Sequence, residues 1–192
     1  MTKLQLIDLV RKRFNMEYLD KRYIELVIGR AWSQLLNDVY NKNVDYLDFY
    51  AKEYTAQTVT LNSTTGRYYA NFPAQIVNLQ DPAEGVRVVS TTDGSDLEFV
   101  PISATEARYM KDLEVDLIDT LIQYVVYYDK IEFFRNMTAS IASEGVNMSL
   151  VIPFEEYDYD EKIPIPHGQD NNLLIMVAQF LQGTVPENEL NN

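Results

Sequence analysis

The chain has 192 residues, 16 basic against 29 acidic side chains, a net charge of −13 and no cysteine. That length suits one domain, or a domain with an elaborated insertion, that buries its core without staples, and the missing cysteine excludes disulfides and thiolate-held zinc. The acid excess argues against a tight grip on a phosphate backbone, which needs Lys and Arg to release counterions. It fits a merely soluble surface and an acidic wall past which DNA slides equally well.

The opening MTKLQLIDLVRKRF spaces its apolar residues with charges, so it reads as a helix and not as a secretory leader. Thr2 and Gln5 form a capping-box pair, and Leu6, Ile7, Val10 and Phe14 share one face. A longer helix is predicted from about Asp20 to Tyr40. Ile24, Val27, Ile28, Ala31, Trp32, Leu35 and Val39 recur there at helical spacing. Trp32 is a core or interface anchor. A third helix is expected over Val44–Tyr54, after the break at Asn41–Asn43.

From residue 55 the pattern becomes β-branched and alternating. TAQTVTL, RYYANF, QIVNL, GVRVVST and DLEFVPI read as strands of a small antiparallel sheet. Turns are expected at Asn62–Gly66 and at Asp93-Gly94. Ser103 and Glu106 cap a short helix through about Lys111. LIQYVVYYDKIEFFRN reads as two strands turning at Asp129-Lys130, apolar on both faces, so a neighbouring subunit could cover one of them. Residues 136–146 read as a loop, and NMSLVIPF as a strand. The last helix, with Asp170 as N-cap and Gly183 and Pro186 at its end, is apolar nearly all round and is expected to be buried.

No catalytic signature stands out. His167 is the single histidine and lies in a Pro-His-Gly turn, so neither a Ser-His-Asp triad nor a histidine-rich zinc site is indicated. The seven glycines are scattered, with no phosphate-binding loop. Paired carboxylates at glycosidase spacing would arise by chance among 29 acids. The 14 tyrosines leave a sugar-binding cleft open as a reading.

The stretch VIPFEEYDYDEKIPIPHG raises the sharpest question. Glu155, Glu156, Asp158, Asp160 and Glu161 alternate with Phe154, Tyr157 and Tyr159, and Ile163 and Ile165 stand in an Ile-Pro-Ile-Pro run. Asp158 and Asp160 resemble half of a calcium loop, but the central Gly and distant Glu are missing. A solvated acidic loop is one reading. A docking strap is the other, its aromatics supplying contact area and its acids meeting a basic partner. The prolines favour an extended arm over a core strand.

Taken together, TKLQLIDLVRKRF, the long second helix, the β section with FPAQIVNL, the strand ending in KIEFF, IPFEEYDYDEKIPIP and NNLLIMVAQFL resemble the head-to-tail connector (adaptor or ring) proteins of short-tailed phages, especially those of the crAss-like group. The resemblance is one of layout over most of the chain. It implies a non-enzymatic structural subunit of the virion, assembled in host cytoplasm, in a homo-oligomeric ring of commonly about twelve copies. Such a ring sits beneath the portal protein, contacts further tail or ring proteins and passes DNA through its channel without specific binding, with no cofactor and no membrane.

The expectation is therefore an α+β chain: an N-terminal helical hairpin or bundle, an inserted antiparallel β section and a closing C-terminal helix. Within a single connector domain, residues 1–53 and 170–183 form the helical body, 55–102 and 121–153 the β section, and 154–166 an extended acidic arm, mobile before assembly. Candidate partner-interface residues are Trp32, Phe154, Glu155, Glu156, Tyr157, Asp158, Tyr159, Asp160, Glu161, Ile163 and Ile165. A carbohydrate-binding or calcium-stabilised surface module is the alternative. An enzyme using two carboxylates is a third reading.

Overall fold

The computed structural model describes residues 1–110 and 120–184. In chain order the elements are α1 (Lys3–Arg13), α2 (Lys21–Lys42), a 3-10 helix (Val44–Tyr50), β1 (Lys52–Gln57), β2 (Thr60–Asn62), β3 (Arg67–Asn71) and a 3-10 turn (Pro82–Gly85). There follow β4 (Val86–Thr91), β5 (Glu98–Pro101), α3 (Ala104–Met110), β6 (Leu121–Val126), β7 (Lys130–Arg135), α4 (Ala139–Glu144), β8 (Val146–Leu150), a short 3-10 turn (Phe154–Glu156) and α5 (Asp170–Thr184). The chain is α+β. It divides into two compact units, one of Met1–Tyr50 with the chain from Pro153 onward, the other of Ala51–Ile152.

The helical unit begins with the expected capping box. Thr2 Oγ1 accepts from Gln5 N at 3.2 Å, and Gln5 Oε1 accepts from Thr2 N at 2.9 Å. Both bonds satisfy amide donors that a helix start leaves unpaired. Asp20 caps α2 by accepting from Arg22 N at 2.9 Å. The stripe Ile24, Val27, Ile28, Ala31, Trp32 and Leu35 is buried, as the spacing demanded, and α2 packs on both α1 and α5. Asn43 ends α2, and its Oδ1 accepts from Asp45 N at 3.0 Å. That bond turns the chain into a tight 3-10 helix in place of an α-helix reaching residue 54, and residues from Lys52 on are already strand.

At α5 two details differ from the expectation. The first helical bond runs from Leu173 N to Gln169 O at 3.0 Å, so the cap precedes Asp170 by one residue. The helix is also not buried all round. Leu173, Leu174, Val177 and Leu181 are inside, whereas Ile175 is 56% exposed. An apolar circumference does not force burial when the packing partner covers one side only.

The inserted unit holds two sheets, not one. A three-stranded antiparallel sheet has the order β1-β8-β4, and a five-stranded sheet the order β2-β3-β7-β6-β5. All pairs in the second are antiparallel except β5 with β6, which run parallel. TAQTVTL is therefore not one strand. Its first half pairs with β8 and its second with β3; β1 bulges between Tyr54 and Gln57, where Ala56 has φ +53°, and the chain changes sheet after Gln57. Ala56 N donates to Asn147 Oδ1 at 3.0 Å, which replaces the ladder bond lost at the bulge.

The Asn62–Gly66 turn joins β2 to β3 as expected, with Asn62 Oδ1 accepting from Thr64 N and Gly66 at φ +69°. The Asp93-Gly94 turn forms too, with Ser95 N donating to Asp93 at 3.0 Å, but it does not make a hairpin. β4 and β5 leave it for different sheets. QIVNL is not a strand. Ile76, Val77 and Leu79 are nevertheless buried, and Val77 N is held by Val151 O at 2.9 Å. The stretch 136–146 is not a plain loop, because Thr138 Oγ1 accepts from Ile141 N and starts α4.

Ser103 and Glu106 form the second capping box, with bonds of 2.7 and 3.1 Å, at the start of α3. The rest of that expected helix lies outside the described residues. β6 and β7 pair antiparallel around Asp129-Lys130. Ile122, Gln123, Tyr124 and Val125 are buried in succession, so both faces of β6 are covered within the chain and need no neighbouring subunit. Tyr127 and Tyr128 lie beyond its end and are exposed. Among the described residues no helix is long and apolar enough to cross a membrane.

Candidate docking groove

The acidic stretch is a strap on the helical unit, not a free arm. Lys3, itself buried, donates from Nζ to Glu155 O at 3.1 Å and Tyr157 O at 2.9 Å, and pairs with the Glu25 carboxylate. Its ammonium also faces the rings of Phe154 and Tyr159, each 5.2 Å away. Backbone bonds run from Lys3 N to Glu161 O, from Leu4 N to Tyr159 O and from Ile163 N to Met1 O. Leu4 N and Lys3 N belong to the first turn of α1, whose free amide donors the strap carbonyls satisfy. The expected mobility before assembly does not fit a segment held this way.

Burial sorts the expected interface residues into two groups. Trp32, Phe154, Tyr157 and Ile163 are inside and cannot meet a partner without unpacking. Trp32 is a core residue, in edge-to-face contact with Tyr50 at 5.8 Å and Tyr157 at 6.3 Å. Glu155, Glu156, Asp158, Tyr159 and Asp160 are exposed, and Glu161 and Ile165 half-buried. Strand-like alternation is not the reason for this split. The Phe154–Glu156 turn directs Phe154 inward and leaves both glutamates out. Tyr159 donates to Glu25 at 3.1 Å, and that carboxylate holds its hydroxyl pKa above the ordinary value. His167 is exposed in the turn before α5. Among the described residues, no three or more His, Cys, Asp or Glu side chains converge as metal ligands would.

The surface that could receive a partner lies elsewhere on the same unit. A groove of about 600 Å³ opens between the C-terminal half of α2, the Val44–Tyr50 helix and α5. Its α2 wall carries Leu35, Asp38, Val39 and Lys42. Ile175 and Met176 of α5 face them, and Tyr46, Phe49 and Tyr50 close the third side. Phe49 is 65% exposed and Tyr46 54%. Their rings meet at 6.5 Å.

The 3-10 helix explains this geometry. Three residues per turn put every third side chain on one face. In Asp45-Tyr-Leu-Asp-Phe-Tyr50 that repeat separates three ridges: Leu47 and Tyr50 inward, Tyr46 and Phe49 toward the groove, Asp45 and Asp48 outward. Burial raises the Tyr50 hydroxyl pKa above its ordinary value. The groove is thus mixed: apolar and aromatic side chains share it with Gln169, Asn172 and Gln179, and the charged residues lining it are Asp38 and Lys42. An α-helical spacing over 44–54 hides this pattern. A period of three, D-Y-L-D-F-Y, was the signal that could have exposed it.

No protein-family profile matches this chain, and no curated protein matches it.

Proposed function

We propose that this chain is a non-enzymatic structural subunit of a phage head-to-tail connector, a ring that joins the portal to the tail and lines the channel through which DNA passes. The observation that carries the reading is the groove. It is open, carries Leu35, Val39, Ile175 and Met176 and is edged with the exposed aromatics Tyr46 and Phe49, and exposed apolar surface of this kind marks places where proteins meet. The layout of the sequence resembles such connectors, and a net charge of −13 suits a channel wall from which DNA phosphates are repelled. The strap supports a revised version of the earlier idea. Its exposed acids, Glu155, Glu156, Asp158 and Asp160, offer a fixed charged surface to a basic partner such as a portal or a further ring protein.

Native mass spectrometry of the purified chain at high concentration tests this reading, with and without calcium. A closed oligomer of about twelve copies, unchanged by calcium, is the expected result. A monomer that binds one or two calcium ions tightly would overturn it in favour of a calcium-stabilised module.

A further inference from the structure

The two sheets of the inserted unit are unequal, three strands against five, and the shorter one ends at β4. A cleft of about 250 Å³ runs along that end. Its lining includes the consecutive β4 residues Val86, Arg87, Val88 and Val89, together with Phe99 and Pro101 of β5 and Tyr124 of β6. Consecutive strand residues point to opposite faces, so a cleft that touches all four lies beside the edge of β4 and not over one face. Phe99, Pro101 and Tyr124 share one face of the longer sheet, because Pro101 stands opposite Tyr124 and Phe99 opposite Ile122. Ile122 and Tyr124 are buried on that face, whereas Phe99 is half-buried and Pro101 exposed. The apolar face of the longer sheet thus runs on past the point where the shorter sheet stops.

A terminal strand presents unpaired N–H and C=O groups, and three of the four terminal strands here are blunted. β1 bulges between Tyr54 and Gln57, and its Thr55 carbonyl already accepts from Gln57 Nε2 at 2.8 Å. β2 has three residues, and β5 has four and ends on a proline. β4 has six, Val-Arg-Val-Val-Ser-Thr, without proline. Its irregularity lies at its start, between Val86 and Val88, and the register is regular from Val88 to Thr91. Arg87 is held by the Glu84 carboxylate at 2.8 Å. Val88 is 51% exposed in mid-strand. Among the described residues no strand pairs with the outer side of β4.

We propose that the β4 edge is a strand-addition site for an extended segment of another protein, apolar at alternate positions. The backbone of that segment pairs with residues 88–91 and extends the shorter sheet to four strands. Its side chains alternate in direction, so every second one covers Phe99, Pro101 and Tyr124. Main-chain bonds supply the affinity and the cleft selects the side chain, as in other strand-addition sites. Arg87 and Glu84 pair with each other at the cleft, so the site asks for no charge in that side chain. The inference goes beyond the connector reading and does not rest on it.

The probes are fluorescently labelled peptides of sequence Ser-Thr-Xaa-Thr-Xaa-Thr-Ser, with Xaa alanine, valine, leucine or phenylalanine, titrated with the full chain and read by anisotropy. The leucine or phenylalanine peptide is expected to bind at least about tenfold more tightly than the alanine peptide, from the extra apolar surface it buries. That peptide is then N-methylated at one alternate set of residues or at the other. One of the two products is expected to lose binding and the other to keep it, because only one set of amides faces β4. Val88→Lys puts a charge on the edge at an exposed position and is expected to weaken binding at least about tenfold, whereas Val88→Thr keeps a neutral β-branched edge and retains it. Circular dichroism checks that both variants are folded.

Absence of binding across the whole peptide series overturns the site. Equal effects of the two N-methylated sets overturn strand addition as its mode. A purified chain that dimerises, loses the dimer in Val88→Lys and takes up no peptide assigns the edge to a second copy and overturns the proposal. None of these results decides the connector reading, which the number of copies in the native assembly tests separately.

Discussion

The ammonium of Lys3 lies 2.9 Å from the carbonyl oxygen of Tyr157, a bond that ties the first turn of the chain to a residue 154 positions away. With Glu155 O and the Glu25 carboxylate it accounts for the three protons of the ammonium. A buried lysine is tolerated here because each donor has an acceptor. The acidic strap is thereby part of the helical unit before any partner arrives.

Lys3→Met keeps the apolar stem and removes the donors. It leaves two strap carbonyls and a largely buried carboxylate without their cation. The expected loss is about 3 kcal/mol of unfolding free energy, in the range for breaking a buried pair by deleting one partner. Urea denaturation followed by circular dichroism measures it. Limited proteolysis is expected to cut first within 154–163 in the variant. An unchanged midpoint with an uncut strap would remove Lys3 from its holding role.

Trp32 separates a core role from an interface role. It is fully buried between Tyr50 and Tyr157. Trp32→Ala is expected to cost about 4 kcal/mol in the isolated chain, through lost transfer energy and the cavity left behind. Thermal unfolding of dilute, unassembled protein is the check. A variant that unfolds like wild type but fails to assemble would return Trp32 to the interface.

Gly145 ends α4 at φ +81°, and a Cβ there would stand 2.8 Å from the carbonyl oxygen of Gln57. Both the backbone angle and the contact exclude a side chain. Gly145→Ala is expected to destabilise the inserted unit by about 2 kcal/mol, the scale of a residue forced into a sparsely populated conformation. Gly94→Ala, where φ is +72° but nothing lies within 4 Å of the added carbon, is expected to cost less. Comparing the two by chemical denaturation isolates the steric contribution.

Tyr124 gives a pH prediction. Burial pushes its hydroxyl pKa from 10.0 up to about 12, with the Arg87 guanidinium opposing and the Glu84 carboxylate adding to the rise. The folded state therefore keeps the proton that the unfolded chain releases earlier. Stability from this group is complete below pH 10 and falls as pH rises toward 12. Denaturation midpoints across that window are expected to decline in the wild type and to decline less in Tyr124→Phe. Equal slopes in the two proteins would contradict the assignment.

Much of this protein follows from local rules that the sequence states openly. The Thr2–Gln5 and Ser103–Glu106 boxes, the buried stripe of α2, the Asn62–Gly66 hairpin and the β6–β7 pair all depend on side chains within a few positions of one another. Capping, helical periodicity and turn chemistry act at that range, so residue order alone determined them.

Tertiary structure decided what long-range partners control. Whether β4 and β5 form a hairpin depended on β8 and β6, which lie far along the chain and took one strand each. Whether Phe154 and Tyr157 faced solvent or core depended on Lys3 and Trp32. The groove required α2, the 3-10 helix and α5 to meet, and no window of sequence contains all three. Periodicity reports which residues share a face. What covers that face is set by the competition among distant segments for the same apolar surface, and this is settled only when the chain has packed.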